Sequence, residues 1–420
     1  MKQYVIIGNG VAAAATIEGI RSRDSQGLIT VVSKEKYPVY CRPLISYLLE
    51  GKTDLTRMQY RDPDFYKNNK AEVLYGVSAA KLSAGKVELD NGSSLPFDEC
   101  IVATGSDPFV PPFKGLDTVE DKYTFQTLDD ALAIEKAIRR DSRVFIVGAG
   151  LIGLKCAEGL TGRVGSITVC DLADRVLSSI LDAPTAAIVQ KHLEKNGMSF
   201  LLADSASEFK KNADGAYTAL MSSGKSVDFD ILVLAVGVRA GTRLVKEAGG
   251  KVERGIVIDE ACRTSLDHVY AAGDCAQTME LTQGTSKVMA ILPNAYLEGY
   301  TAGVNASSED AGSPAAVFDN AIAMNSIGFM GLHIMSAGSA PEGCQVYEER
   351  DQDHWKKLFT KDGYLTGFML VGDIDRAGIY TNMIRNRIPL SEVDFESMKK
   401  LPNLYAFGEK YRHHILTGEV

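Results

Sequence analysis

Two short runs of residues have the types and spacing to do chemistry. The first is Val5-Ile6-Ile7-Gly8-Asn9-Gly10-Val11-Ala12-Ala13, and the second is Val144-Phe145-Ile146-Val147-Gly148-Ala149-Gly150-Leu151-Ile152-Gly153. Each leads an apolar run through a glycine turn into a helix-like stretch. Such a turn lets the backbone and a helix N-terminus come up against a pyrophosphate, so the chemistry on offer is the holding of a dinucleotide. One such pattern is weak evidence. Two in strand–turn–helix context point to two dinucleotides on one chain, a resident flavin and a visiting nicotinamide.

In the first run Gly8 permits the tight turn and Gly10 admits the pyrophosphate. Ala13 stands where a third glycine is usual, a position that asks only for a small side chain between helix and strand. The acid that grips the ribose is expected about 20 residues on. Ser33 and Lys34 occupy the end of the next strand, which leaves Glu35 as the candidate. The second run is complete, with Gly148, Gly150 and Gly153, and Asp171 ends its next strand. A carboxylate there accepts ribose hydrogen bonds and repels a 2′-phosphate, and Leu172 and Ala173 offer no cation to offset it. NADH is therefore expected over NADPH. Further turns follow apolar strands at Ala103-Thr104-Gly105, Ala235-Val236-Gly237 and Ala272-Gly273-Asp274. Asp274 is placed to bind a ribityl or ribose hydroxyl.

The elements that must position these residues read as βαβ units. Strands are expected at 3–8 and Leu28–Ser33 around a helix at 11–23, then at 143–147 and Ser166–Asp171 around a helix at 151–161. Residues 86–102, 216–221, 227–236 and Val269–Ala272 read as further strands, and 294–305 as a helix. A polar linker is expected at Ser307–Pro314. From Phe318 the pattern changes to short strands and turns, including Trp355–Thr360 and Tyr364–Val371, and then a helix-rich end.

At 420 residues the chain is too long for one ordinary core. A formal net charge of -9 argues against nucleic acid as a main partner, since phosphate binding needs a basic face. No apolar run reaches membrane-spanning length, and the first strand begins too soon after Met1 for a signal peptide to be read. The seven cysteines form neither C-x-x-C nor a spaced metal quartet, so no metal is expected. A reducing cytoplasm is the expected setting.

Together these motifs resemble the FAD-dependent pyridine nucleotide-disulfide oxidoreductase superfamily over roughly 1–305. Tyr40-Cys41-Arg42-Pro43-Leu44-Ile45-Ser46 is similar to the R-P-x-x-S segment of NADH:rubredoxin reductases and of the flavin part of NADH-dependent nitrite reductases. Leu292-Pro293-Asn294-Ala295 resembles the segment with which those enzymes set a helix against the flavin. The resemblance implies an α/β fold with two Rossmann-like, doubly wound domains of the glutathione-reductase type and a small α+β C-terminal domain. It implies an FAD-binding domain at 1–112 and 231–312, an NAD(H)-binding domain at 113–230, and a dimerisation or partner-docking domain at 313–420. Arg42, Pro43 and Pro293 would line the FAD, and Asp274 would bind its ribityl chain.

The departures narrow the activity. Cys41 lacks the C-x4-C partner of dithiol members, and His413 and His414 do not reproduce their C-terminal His-x4-Glu pair. Single-cysteine NADH oxidases, peroxidases and coenzyme A disulfide reductases place their cysteine near Pro43, so Cys41 is either a redox-active thiol or a packing residue. Many relatives pair a lysine after R-P-x-x-S with a glutamate in the NAD helix. Here Tyr47 and Lys155 stand at those positions, and Lys155 is expected to supply the cation near the flavin. The reading that follows is an NADH:acceptor oxidoreductase that passes hydride to FAD. Its electrons would go on to rubredoxin, an iron–sulfur protein or a partner subunit. A cysteine-assisted oxidase or disulfide reductase, and a flavin-bearing subunit of a larger iron–sulfur complex, are the alternatives.

Overall fold

The apolar run before the first glycine turn forms the strand Gln3–Ile7, buried at every position after Gln3. It lies at the centre of a five-stranded sheet in the order Val269–Ala271, Glu99–Val102, Gln3–Ile7, Leu28–Ser33, Ala71–Tyr75, with every neighbouring pair parallel. Central strands covered on both faces must be apolar throughout rather than alternating, which is how this run reads. The second apolar run builds the same arrangement. Arg143–Val147 sits between Ser166–Asp171 and Ile231–Leu234 in a parallel sheet completed by Met198–Leu202 and Lys122–Tyr123. The two registers match at the functional end, where Ile7 faces Val32 in one sheet and Val147 faces Cys170 in the other.

The computed structural model describes residues 1–213, 215–308, 314–351 and 354–412. The chain divides into two compact units, one of 1–36, 67–105 and 242–420, the other of 37–66 and 106–241. These limits differ from the sequence expectation in that 37–66, 106–112 and 231–241 fall with the second unit, and 313–420, expected as a domain of its own, falls with the first. Ile231–Leu234 is drawn there by its parallel pairing with Arg143–Val147, and Asp230 just before it is held by the Arg143 guanidinium at 2.8 Å. The expected boundary at 312/313 and the residues His413 and His414 lie outside the described residues.

In the first unit the helices Val11–Arg21 and Leu292–Ser307 pack backbone to backbone. A methyl group on Gly299 would lie 2.1 Å from the Ala12 carbonyl oxygen, one on Gly303 2.3 Å from that of Thr16, and one on Gly19 2.3 Å from that of Tyr300. Ala12 meets Gly299 and, four residues on in both, Thr16 meets Gly303, so the helices run parallel with their N-termini at the same end. Those ends carry the positive poles of both helix dipoles.

The same unit contains an antiparallel sheet in the order Met324–Phe329, Leu332–Gly338, Tyr364–Val371, Trp355–Lys361, Gln345–Arg350. The helix Ala377–Arg385 buries Tyr380, Met383 and Ile384 against it, with the Phe368 and Tyr380 ring centroids 5.6 Å apart. Backbone bonds from Phe318 to Glu260 (2.8 Å) and from Leu281 to Ala321 (2.9 Å) tie this segment to the parallel-sheet part of the unit. Among the described residues no helix is long and apolar enough to cross a membrane.

Candidate functional site

The first glycine turn is held by its own backbone. The Gly8 N–H donates to the Val32 carbonyl at 2.9 Å, and φ is +117°. A Cβ at Gly8 would sit 2.0 Å from the Ala103 carbonyl oxygen, so only glycine fits between these strand ends. Gly10 differs in kind. It is the N-cap of the Val11–Arg21 helix, and a Cβ there would meet nothing within 4 Å. No side chain caps this helix, so its first N–H groups face an open space that suits an anion. Ala13 is fully buried, as a packing position requires.

Two further turns of the first unit close on this space. Thr104 and Gly105 (φ +66°) follow Ala103, and Gly273 (φ +78°) precedes Asp274. A Cβ on Gly273 would come 3.1 Å from that of Ala12 and 3.6 Å from that of Ala295, which places this turn between the two parallel helices. Asp274 is half-buried. Pro293 lies exposed in the first turn of the second helix, where a missing N–H costs nothing. Ser33 holds the strand-end place and its hydroxyl donates to the Glu35 carbonyl at 2.6 Å, so the half-buried Glu35 follows at once.

In the second unit the turn repeats nearly atom for atom. The Gly148 N–H donates to the Cys170 carbonyl at 2.7 Å, φ is +118°, and a Cβ would lie 2.2 Å from the Ala235 carbonyl oxygen. Gly150 is again the open, uncapped N-cap position, of the helix Leu151–Leu160. Gly153 packs so tightly that a Cβ would approach the Gly148 carbonyl oxygen to 2.0 Å. Asp171 has a task the sequence does not reveal. One carboxylate oxygen accepts the Ala149 N–H at 2.7 Å and the other the Ala173 N–H at 2.8 Å. The acid therefore locks the turn, and each oxygen keeps a further lone pair for a ribose hydroxyl. Gly237 (φ +113°) has open space in front of it.

Cys41, Arg42, Pro43 and Lys155 also fall in the second unit. Cys41 is half-buried just before the short turn Arg42–Leu44, and burial pushes its thiol above the ordinary value, away from a reactive thiolate. The Arg42 guanidinium lies 5.1 Å from the Tyr40 ring centroid and donates to the Gln126 carbonyl at 3.2 Å; Pro43 is exposed. Lys155 is not an isolated cation. It pairs with Glu158 one turn on and lies 4.8 Å from the Tyr47 ring centroid. Glu158 is a buried acid that the sequence reading passed over.

A second residue passed over is Glu298, in the Leu292–Ser307 helix. It is 3% exposed and accepts the Gly273 N–H at 2.7 Å, which fixes the backbone just before Asp274. Burial, with the Asp274 charge adding to it, pushes this carboxyl up to about 8. The sequence signal was available, since Glu298 directly precedes the small-residue face Gly299-x-x-x-Gly303 that packs against the first helix.

The family model described as pyridine nucleotide-disulphide oxidoreductase matches residues 2–297. The chain is 30% identical over 397 residues to the NADH-dependent phenylglyoxylate dehydrogenase subunit epsilon of Aromatoleum evansii, covering 93% of each. It is 29% identical to the nitrite reductase [NAD(P)H] of Bacillus subtilis over 93% of this chain, and spans 48% of that protein. A solved NAD-dependent persulfide reductase from A. fulgidus superposes with a TM-score of 0.82 at 25% identity, over 93% of this chain and 78% of its own.

Proposed function

The chain thus belongs to the pyridine nucleotide-disulphide oxidoreductase family, an FAD- and NADH-using oxidoreductase, and we propose how its two glycine turns divide that work. The first turn, Gly8 to Ala13, holds the FAD, with Glu35, Ala103-Thr104-Gly105, Gly273, Asp274 and the start of the Leu292–Ser307 helix around it. The second, Gly148 to Gly153 with Asp171, takes NADH. FAD supplies a two-electron acceptor that can release its electrons singly. The residues of this chain contribute binding and orientation. Open N-caps at Gly10 and Gly150 receive pyrophosphates, Asp171 receives a ribose, and Asp274, steadied through Gly273 by Glu298, receives the sugar-like chain of the flavin.

The observation that carries this division is the asymmetry of the two strand ends. Asp171 braces its turn and offers a carboxylate to the ribose directly, while Ser33 occupies the matching place in the first unit. Electrons then pass to a partner redox protein or subunit, a reading supported by the dehydrogenase subunit and the nitrite reductase among the relatives. Cys41, with a thiol raised by burial, is read as a packing residue. Anaerobic stopped-flow reduction by NADH, followed by reoxidation with rubredoxin, ferredoxin, oxygen, peroxide and disulfides in parallel, tests both parts. Fast reoxidation by an iron–sulfur protein or rubredoxin is the expected result. Preferential reoxidation by peroxide or a disulfide, abolished in C41S, would replace it with the thiol-dependent chemistry.

A further inference from the structure

Arg385, the last residue of the Ala377–Arg385 helix, carries a positive charge into the first unit without an acid to meet it. Its Nη2 donates to Asn294 Oδ1 at 3.1 Å and lies 3.9 Å from the Met324 sulfur. Its Nε is buried with no acceptor, and no carboxylate among the described residues forms an ion pair with it. Burial pulls the guanidinium below its ordinary value, the mark of a charge whose lost hydration is not replaced. Asn294 is fully buried and spends its amide N–H on the Ile322 carbonyl at 3.1 Å, so its oxygen is turned toward the arginine.

The location gives this charge a use. Asn294 is in the first turn of the Leu292–Ser307 helix, whose start has no side-chain cap. Ala295, beside it, packs against Gly273, next to the turn that carries Asp274. Arg385 thus reaches the end of the parallel helix pair where the first glycine turn opens. Arg385 is half-buried, and a cation withdrawn this far with an unbonded Nε is costly unless something balances it. A flavin is neutral when oxidised, and addition of a hydride from NADH leaves it one negative charge richer while NADH departs as NAD+.

We propose that Arg385, aimed by Asn294, is the charge-compensating residue for the reduced flavin, contributed by the C-terminal part of the chain. The proposal rests on FAD occupying the first turn. It assigns the C-terminal segment a direct influence on the redox poise of the cofactor, besides any part in assembly.

The test is the midpoint potential of the bound flavin, measured by anaerobic spectroelectrochemical titration in the wild type, R385Q, R385K and N294D, with thermal unfolding alongside. R385Q keeps a donor for Asn294 but loses the charge. It is expected to lower the preference for reduced over oxidised flavin at least tenfold, about 30 mV for a two-electron couple. R385K keeps the charge and is expected to hold most of the wild-type potential. N294D gives the arginine a counter-ion, at the cost of the amide bond to the Ile322 carbonyl, and is expected to lower the potential as R385Q does. An unchanged potential in flavin-loaded R385Q overturns the proposal, as does an equal drop in R385K. If R385Q does not retain flavin, an unchanged potential in N294D overturns it. Wild-type protein that binds no FAD would instead remove the assignment of the first turn.

Discussion

The two glycine turns share a backbone and differ in what completes them. In both, a glycine with φ near +117° donates to the neighbouring strand and leaves no room for a side chain beside a third strand's carbonyl. In both, the second glycine opens an uncapped helix toward empty space. The second turn also meets a distant strand end, at Ala235, but its acid comes from its own βαβ unit, where Asp171 braces it. The first is finished by distant parts of the chain: Ala103 to Gly105, Gly273 and Asp274, Glu298, and the helix that starts at Leu292. A site assembled from many segments suits a cofactor that stays, and one whose acid comes from its own βαβ unit suits a cofactor that comes and goes.

The sharpest way to break this comparison is at the glycines that only the fold requires. G8A is expected to cost on the order of 3 kcal/mol of stability, from strain at positive φ and the clash with Ala103. G148A is expected to lose a similar amount against Ala235. Equilibrium denaturation of both checks this, and near-wild-type stability in either would mean that the turns are not built as described.

Asp171 is the next test. D171N points an amide N–H₂ at a backbone donor, and is expected to lose about 1–3 kcal/mol of stability. NADH affinity should fall roughly tenfold, about 1.4 kcal/mol, and the margin over NADPH should narrow. Calorimetric titration with both nucleotides decides it. A variant that binds NADH as before would leave Asp171 with a structural role alone.

Glu298 gives the first site a pH dependence. Its folded-state value near 8 lies above the ordinary 4.5, so the native protein keeps a proton that the unfolded chain gives up. Its contribution therefore makes stability fall as pH rises from about 4.5 to about 8. E298Q is expected to flatten this slope in thermal unfolding curves, with most of its gain at the alkaline end. A slope unchanged in E298Q would show that other groups set it. The smallest effect is expected at Cys41, where C41S should stay within about 0.5 kcal/mol of wild type and reduce its flavin with NADH at the wild-type rate.

Much of this was legible in the sequence, for a physical reason. Leu28–Ser33, 143–147, Ser166–Asp171 and Tyr364–Val371 appear with the boundaries expected, because largely apolar, β-branched or aromatic runs ending at glycine or a charge allow few alternatives. The stretch 86–102 was read as one strand. Its Asp90-Asn91-Gly92 turn splits it into Lys86–Leu89 and Ser94–Pro96, leaving Glu99–Val102 for the parallel sheet. The helix Leu128–Ala137 was missed although its capping box, Thr127 with Asp130, is visible in the sequence. The placement of 37–66 was not legible, because it depends on contacts between distant segments. The Leu128 N–H donates to the Tyr40 hydroxyl at 3.0 Å, and Gly159 packs on the Ser46 backbone. The buried Glu158 and Glu298 and the half-buried Arg385 read in sequence as ordinary helix charges, since withdrawing a single charged side chain from solvent leaves no periodic signal.

The division of labour is tested most directly at Gly10 and Gly150, where an added methyl group meets nothing in the protein itself. G10A and G150A should both fold as the wild type does. FAD content after gel filtration, together with NADH affinity by calorimetry on the same preparations, then separates the sites. G10A is predicted to lose FAD while still binding NADH, and G150A to keep FAD while losing NADH. Loss of both ligands in either variant, or the opposite assignment, would contradict the account.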